Sequence, residues 1–136
     1  MNHWLSASLV SLFSFGLWGL FSKIAVGYVD SKSVLVYQTG GVALVGVLAL
    51  LFMDFKPTMD VKGFSYGMLT GMAYAIGCLF FFIAASKGRI VTVVTLTALY
   101  PLITILFSYI FFNEVITAKQ GIGIFLAVLS IIFLSL

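Results

Sequence analysis

Apolar residues run along this chain in five long stretches, parted by four short polar connections. The stretches cover residues 5–29, 34–53, 63–85, 90–112 and 118–136. Each is close to the ~20 residues that carry a helix across ~30 Å of hydrocarbon. Lipid offers no partner to a free backbone, and five segments do not close a barrel, so each stretch is expected to be a helix. The pattern predicts an all-α polytopic membrane protein with five transmembrane helices in a single domain. An odd number of crossings puts the two ends of the chain on opposite sides of the bilayer. It also makes it hard for one copy to enclose a path, so function is expected to need a partner.

The connections carry their own signals. Asp30, Ser31 and Lys32 part the first two spans, and Ser31 or Ser33 is expected to cap the second helix. Asp54–Lys62 is the longest connection and holds Pro57 and Asp60. Ser86, Lys87, Gly88 and Arg89 form a tight turn, in which Gly88 is expected to take a left-handed cap. Thr117-Ala118-Lys119-Gln120 has the spacing of a capping box. Connections this short make neighbouring helices antiparallel and adjacent.

Composition agrees with the pattern. The chain has 136 residues, 62% hydrophobic and 8% charged, with a mean hydropathy of +1.23; soluble domains carry roughly 25% charged residues. The net charge of +3 lies in the short connections, as membrane-flanking charge and not as a nucleic-acid patch. Cys78 is the single cysteine and reads as a small core residue. The apolar run near the start is too long for a signal-peptide core and is expected to be retained as a helix.

Counting Lys and Arg by side gives Lys56, Lys62 and Lys119 against Lys32, Lys87 and Arg89, with Lys23 as a fourth on the second side. The positive-inside rule therefore orients the chain weakly. Two expectations follow: a single orientation with the Lys23 side cytoplasmic, or insertion both ways and pairing with an inverted copy.

Polar groups inside a membrane are costly and tend to face a bundle interior or a wet cavity. In the first helix Ser8, Ser11, Ser14, Trp18 and Ser22 recur every three or four residues, either lining a cavity or packing against a neighbour. Lys23 either snorkels to the headgroups or faces the cavity. Gln38 is expensive in lipid and should point inward, toward a substrate or another helix. Tyr74 in the third helix could donate to a ligand, while Gly63, Gly67 and Gly71 form a ridge suited to close helix packing. The fourth helix carries a polar stripe of Thr97, Tyr100 or Pro101, Thr104 and Ser108. Pro101 has no N–H and clashes with the carbonyl of Thr97, freeing an acceptor near the midplane and kinking the helix. Interrupted helices at that depth point to transporter binding sites. The expected substrate-binding set is thus Ser11, Ser14, Trp18, Gln38, Tyr74, Thr97, Tyr100, Pro101 and Thr104. Glu114, ahead of the last helix, is expected to pair with a lysine or favour the helix dipole. With His3 the only histidine and no nucleophile–base pair, metal cluster or phosphate loop, neither catalysis nor a cofactor has a candidate site.

Three pieces resemble a known family. Trp18-Gly19-Leu20-Phe21-Ser22-Lys23 is similar to the opening motif of the EamA-type branch of the drug/metabolite transporter superfamily. Leu96-Thr97-Ala98-Leu99-Tyr100-Pro101-Leu102-Ile103-Thr104 resembles its fourth-helix motif. Phe112-Asn113-Glu114 followed by Lys119-Gln120-Gly121-Ile122-Gly123 resembles its closing segment, departing at Asn113 where a small residue, usually glycine, precedes the glutamate. The resemblance covers nearly the whole chain and implies one five-helix half of a ten-helix inverted-repeat transporter. It further implies an inner-membrane transporter subunit, working as a homodimer (antiparallel on the inverted reading) that moves a small metabolite or amphipathic organic solute by alternating access. The last helix, with Gly121 and Gly123, is the expected dimer interface. The related small multidrug exporters use a glutamate in their first helix, and no acidic residue lies between Met1 and Val29 here, so that proton relay is not expected. A lipid-linked carrier flippase or its accessory subunit is the alternative, and a non-transporting assembly protein a third.

Overall fold

The structure is a computed structural model that describes residues 3–135, and residue 136, the end of the fifth expected span, lies outside them. It is helical: α1 (His3–Ala25), α2 (Ser31–Phe52), α3 (Val61–Lys87), α4 (Ile90–Thr97), α5 (Tyr100–Phe112) and α6 (Ala118–Ser135). The first three spans appear as α1, α2 and α3, with α1 ending four residues before the expected boundary and α3 extending two residues past its own at each end. The fourth span is two helices. Pro101 cannot donate to the Thr97 carbonyl, and α4 stops at that residue. Ala98 and Leu99 bridge the break, with the Leu99 N–H reaching only to Leu96 at 3.2 Å. α1, α2, α3 and the combined 90–112 segment are long and apolar enough to cross a membrane. α6 has 18 residues, which at 1.5 Å per residue gives about 27 Å.

The helix ends explain where the chain turns. Asp30, not Ser31 or Ser33, is the N-cap of α2: its carboxylate accepts from the amides of Lys32 at 3.0 Å and Ser33 at 3.2 Å. Ser33 instead donates its hydroxyl to Asp30. Asp30 sits in extended backbone one residue ahead of the helix, whereas Ser31 is already its first residue. The hydroxyl of Ser33 and these amides stabilise the ionised carboxyl and hold Asp30 below the usual carboxylate value. α2 ends in a Schellman pattern, Phe55 N–H to the Leu50 carbonyl at 2.9 Å and Asp54 N–H to Leu51 at 3.2 Å. Asp54 and Phe55 both have positive φ there. Asp60 caps α3 through the Gly63 amide at 2.7 Å. Gly88 does not take the left-handed cap, since no described glycine has a positive φ. That conformation falls instead to Asn113, at the end of α5, with φ 51° and ψ 33°. The site is left-handed, and asparagine tolerates it better than other side chains that carry a Cβ. Thr117 and Gln120 form the capping box of α6, Thr117 N–H to Gln120 Oε1 at 2.9 Å and Gln120 N–H to Thr117 Oγ1 at 3.4 Å.

The chain divides into two compact units, Met1–Lys87 and Gly88–Leu136. In the first, α3 packs against both α1 and α2. Its buried residues are Gly19 and Ser22 of α1, Val34 of α2, and Cys78, Phe81, Phe82 and Ala85 of α3. These come from the late part of α1, the start of α2 and the late part of α3, so the interior lies at one end of the antiparallel bundle. Within the second unit α4 packs on α6, and Val93 is its buried residue. Gly67 and Gly71, expected to pack closely, meet nothing: a Cβ on either would have no atom within 4 Å, and Gly63 faces only the Asp60 cap. Large apolar side chains are exposed all along the helices. Where lipid is the solvent, that exposure costs nothing.

Candidate functional site

A groove lies in each unit. In the first, a cavity of about 440 Å³ lies among α1, α2 and α3, lined by Ser14, Leu17, Trp18, Phe21, Ser22, Ala25, Val34, Tyr37, Gln38 and Phe82. Helical spacing places Ser14, Trp18 and Ser22 above one another on α1. On α3, Cys78, Phe81, Phe82 and Ala85 follow the i, i+3, i+4, i+7 pattern and turn toward them. The indole of Trp18 lies 4.6 Å from the Phe81 ring, tilted by 40°, and 6.2 Å from Phe82. The two phenylalanines meet edge to face at 6.3 Å. Such pairs contribute about 0.5–1.5 kcal/mol beyond their contact area, and here they fix the plane of the indole.

The polar atoms of this cluster are paired. Trp18 Nε1–H donates to Gln38 Oε1 at 2.7 Å, joining α1 to α2. The Ser22 hydroxyl donates to the Trp18 carbonyl at 2.6 Å, and the Ser14 hydroxyl to Val10 at 2.9 Å. Ser14 and Ser22 therefore use their protons inside their own helix and present only lone pairs outward. Lys23 donates from Nζ to the Ala85 carbonyl at 2.6 Å. That carbonyl belongs to the last turn of α3, where a cation is favoured by the helix dipole and by carbonyls lacking helical donors. Lys23 is thus held across the α1–α3 end and is not among the residues that line the groove. No Asp, Glu, Lys or Arg lines this groove.

The second groove, about 520 Å³, runs beside α5 and α6. Its polar lining comes from Thr104, Ser108, Tyr109, Glu114 and Gln120, and Ala98, Pro101 and Gly123 form part of its wall. Glu114 precedes α6 by four residues and lies outside its first turn.

Of the expected substrate residues, Ser14, Trp18 and Gln38 meet in the first groove, and Pro101 and Thr104 line the second. Ser11, Tyr74, Thr97 and Tyr100 line neither. The Thr97 hydroxyl bonds to Val93 at 2.9 Å within its own helix. Gly123 lies in the second groove and Gly121 does not; a Cβ at either would meet nothing within 4 Å. Sequence reasoning missed Phe81, Phe82 and Phe21. Three consecutive phenylalanines at 80–82 conceal any period. The signal lay in the flanking small residues, Cys78 and Ala85, which complete the buried face.

Residues 2–136 match the EamA-like transporter family. An uncharacterized protein of Methanocaldococcus jannaschii is 31% identical over 128 residues, covering 94% of this chain and 92% of its own. An uncharacterized transporter of Synechocystis is 30% identical over 131 residues, covering 85% of this chain, while the match spans 39% of that transporter's length. No solved structure matches the chain.

Proposed function

The chain belongs to the EamA-like transporter family, and from that premise we propose that it is one half of a transporter, completed by a second, inverted copy of itself. Family and apolar helices together make it an integral membrane protein and a membrane transporter in kind. The cell inner membrane is the location we assign. The observation that carries the half-unit reading is the share of a longer transporter that the chain matches. A relative nearly matched in length exists, and so does a transporter more than twice as long, of which this chain matches 39%. Two copies of opposite orientation supply in trans what the longer chain has room to hold in one piece. The near-even split of Lys and Arg between the two faces supports insertion both ways. The solute is a small uncharged or amphipathic organic molecule, moved by alternating access between the copies. The charge-free lining of the first groove and its aromatic wall support that class. Glycines 121 and 123, open on α6, supply the contact between copies.

Topology tests the pairing. Met59, in the connection between α2 and α3, is 89% exposed. A single cysteine placed there, in a Cys78→Ala chain, is challenged with a membrane-impermeant thiol reagent from each side in turn. Labelling of comparable extent from both sides is expected. Labelling from one side alone excludes the inverted homodimer and leaves a parallel dimer or a different half-unit partner.

A further inference from the structure

One contact in the first groove has a chemical direction. The Trp18 indole nitrogen carries a hydrogen and no free lone pair, so the atom of Gln38 that faces it at 2.7 Å must be the amide oxygen. The orientation of the amide is thereby fixed, and its NH2 group turns away from the indole. That NH2 makes no hydrogen bond with any described residue. It is not sealed in the protein either, because no buried side-chain nitrogen or oxygen among the described residues lacks a partner. The accessible donor thus belongs to a side chain that lines the groove. Two N–H bonds beside an apolar wall are costly until something accepts from them. Ser14 and Ser22 have spent their own protons on the Val10 and Trp18 carbonyls. Lys23 is held on Ala85.

We propose that Gln38 is the recognising group of this site, donating through its NH2 to a carbonyl or comparable uncharged oxygen acceptor on a flat organic solute, and that Trp18 is its positioning residue. The proposal rests on the transporter reading and names the solute chemistry for it. A carboxylate-bearing solute would find no cation in the lining and an ammonium-bearing one no anion. The volume of about 440 Å³ lies within the range of small-molecule sites, about 300–1,000 Å³. The tilted stack of Trp18 on Phe81 holds the indole plane, and the indole N–H in turn holds the amide.

The test uses the full chain in lipid nanodiscs, with equilibrium dialysis of radiolabelled probes and protein-free nanodiscs as the blank. Acetophenone and ethylbenzene share ring and shape and differ in the carbonyl. Saturable binding with about a tenfold preference for the ketone is expected, the worth of one hydrogen bond of about 1.4 kcal/mol. Gln38→Leu should abolish the preference while leaving ethylbenzene binding in place, which also reports that the variant is folded. Trp18→Phe keeps an aromatic ring and removes the N–H. It should lower the preference in the native chain and add nothing in the Gln38→Leu background, as a residue acting through Gln38 must. A ketone preference that survives Gln38→Leu, equal binding of the two probes, or tighter binding of benzoate or benzylammonium overturns the proposal. None of those results alters the two-sided labelling at position 59, so the transporter reading stands or falls separately.

Discussion

The unit built from α1–α3 buries Phe82 and Ala85 completely, together with Cys78, Phe81 and a hydrogen-bonded Ser22. The unit built from α4–α6 buries Val93 alone among its described residues, at 9% exposure, and α5 buries none. The helices of the second unit are the more apolar in sequence, so hydrophobicity does not make the difference. In lipid there is no gain in merely hiding a leucine, and interiors form where shapes interlock and polar groups find partners. The first unit has both: small residues at 19 and 85 let helices approach, and Trp18, Gln38, Ser22 and Lys23 tie one helix to the next or to its own turn. The second is cut by Pro101, and the hydroxyls of Thr95, Thr97 and Thr104 bond within their own helices. These three hydroxyls tie no helix of the second unit to another.

The largest effect that separates the two follows from truncating one phenylalanine in each. Phe82→Ala removes a fully enclosed ring and should destabilise the chain by about 3 kcal/mol or more. Phe107, 52% exposed and touching Phe111 edge to face at 5.9 Å, should cost less than about 1 kcal/mol as Ala, since lipid takes its place. Unfolding of each variant by denaturant titration in bicelles measures both. Equal losses would break the contrast and mean that Phe107 is enclosed in the assembled protein.

Much of this was legible beforehand, for identifiable reasons. The spans were readable because lipid forces helices of fixed length, and the break at 98–99 because proline removes a donor whatever surrounds it. The Thr117–Gln120 box was readable because both partners lie within one turn. Trp18 and Gln38 could each be picked out as costly in lipid, but not as a pair: twenty residues separate them, and only the packing of α1 and α2 on α3 brings them to 2.7 Å. The partner of Lys23 was out of reach for the same reason, since the Ala85 carbonyl lies 62 positions away. The cap of α2 went to Asp30 on a one-residue difference in where the helix begins, which pattern alone does not resolve. Gly67 and Gly71 of α3 meet no neighbour within the described chain, since spacing shows that a helix could approach, not that one does.

A middle-sized effect bears on the second unit. Asn113 ends α5 in left-handed backbone. Asn113→Val should cost about 1–2 kcal/mol, because a β-branched side chain fits that conformation poorly, whereas Asn113→Gly should be neutral or slightly stabilising. Thermal inactivation in the same bicelles ranks the three. If valine is tolerated, the connection relaxes freely and the second unit is looser than its helix ends suggest.

The smallest effect sharpens the first unit. Asp30 is solvated, so its contribution is modest, but its direction is fixed. The Ser33 hydroxyl, the Ser33 amide and the Lys32 amide all favour the charged carboxyl and hold it below 3.8 in the folded chain. A carboxyl with a lowered folded value binds protons more weakly folded than unfolded, so its contribution is present above about pH 4 and fades as pH falls through the folded value. Asp30→Asn keeps an oxygen for the two amides and removes the titration. Thermal stability measured from neutral pH downward should fall more steeply in the native chain than in Asp30→Asn once the pH drops below that point, with the other acidic groups contributing equally to both. Parallel curves would mean that the cap holds without its charge, and that the start of α2 is kept in place by Val34 and the aromatic cluster rather than by the connection that precedes it.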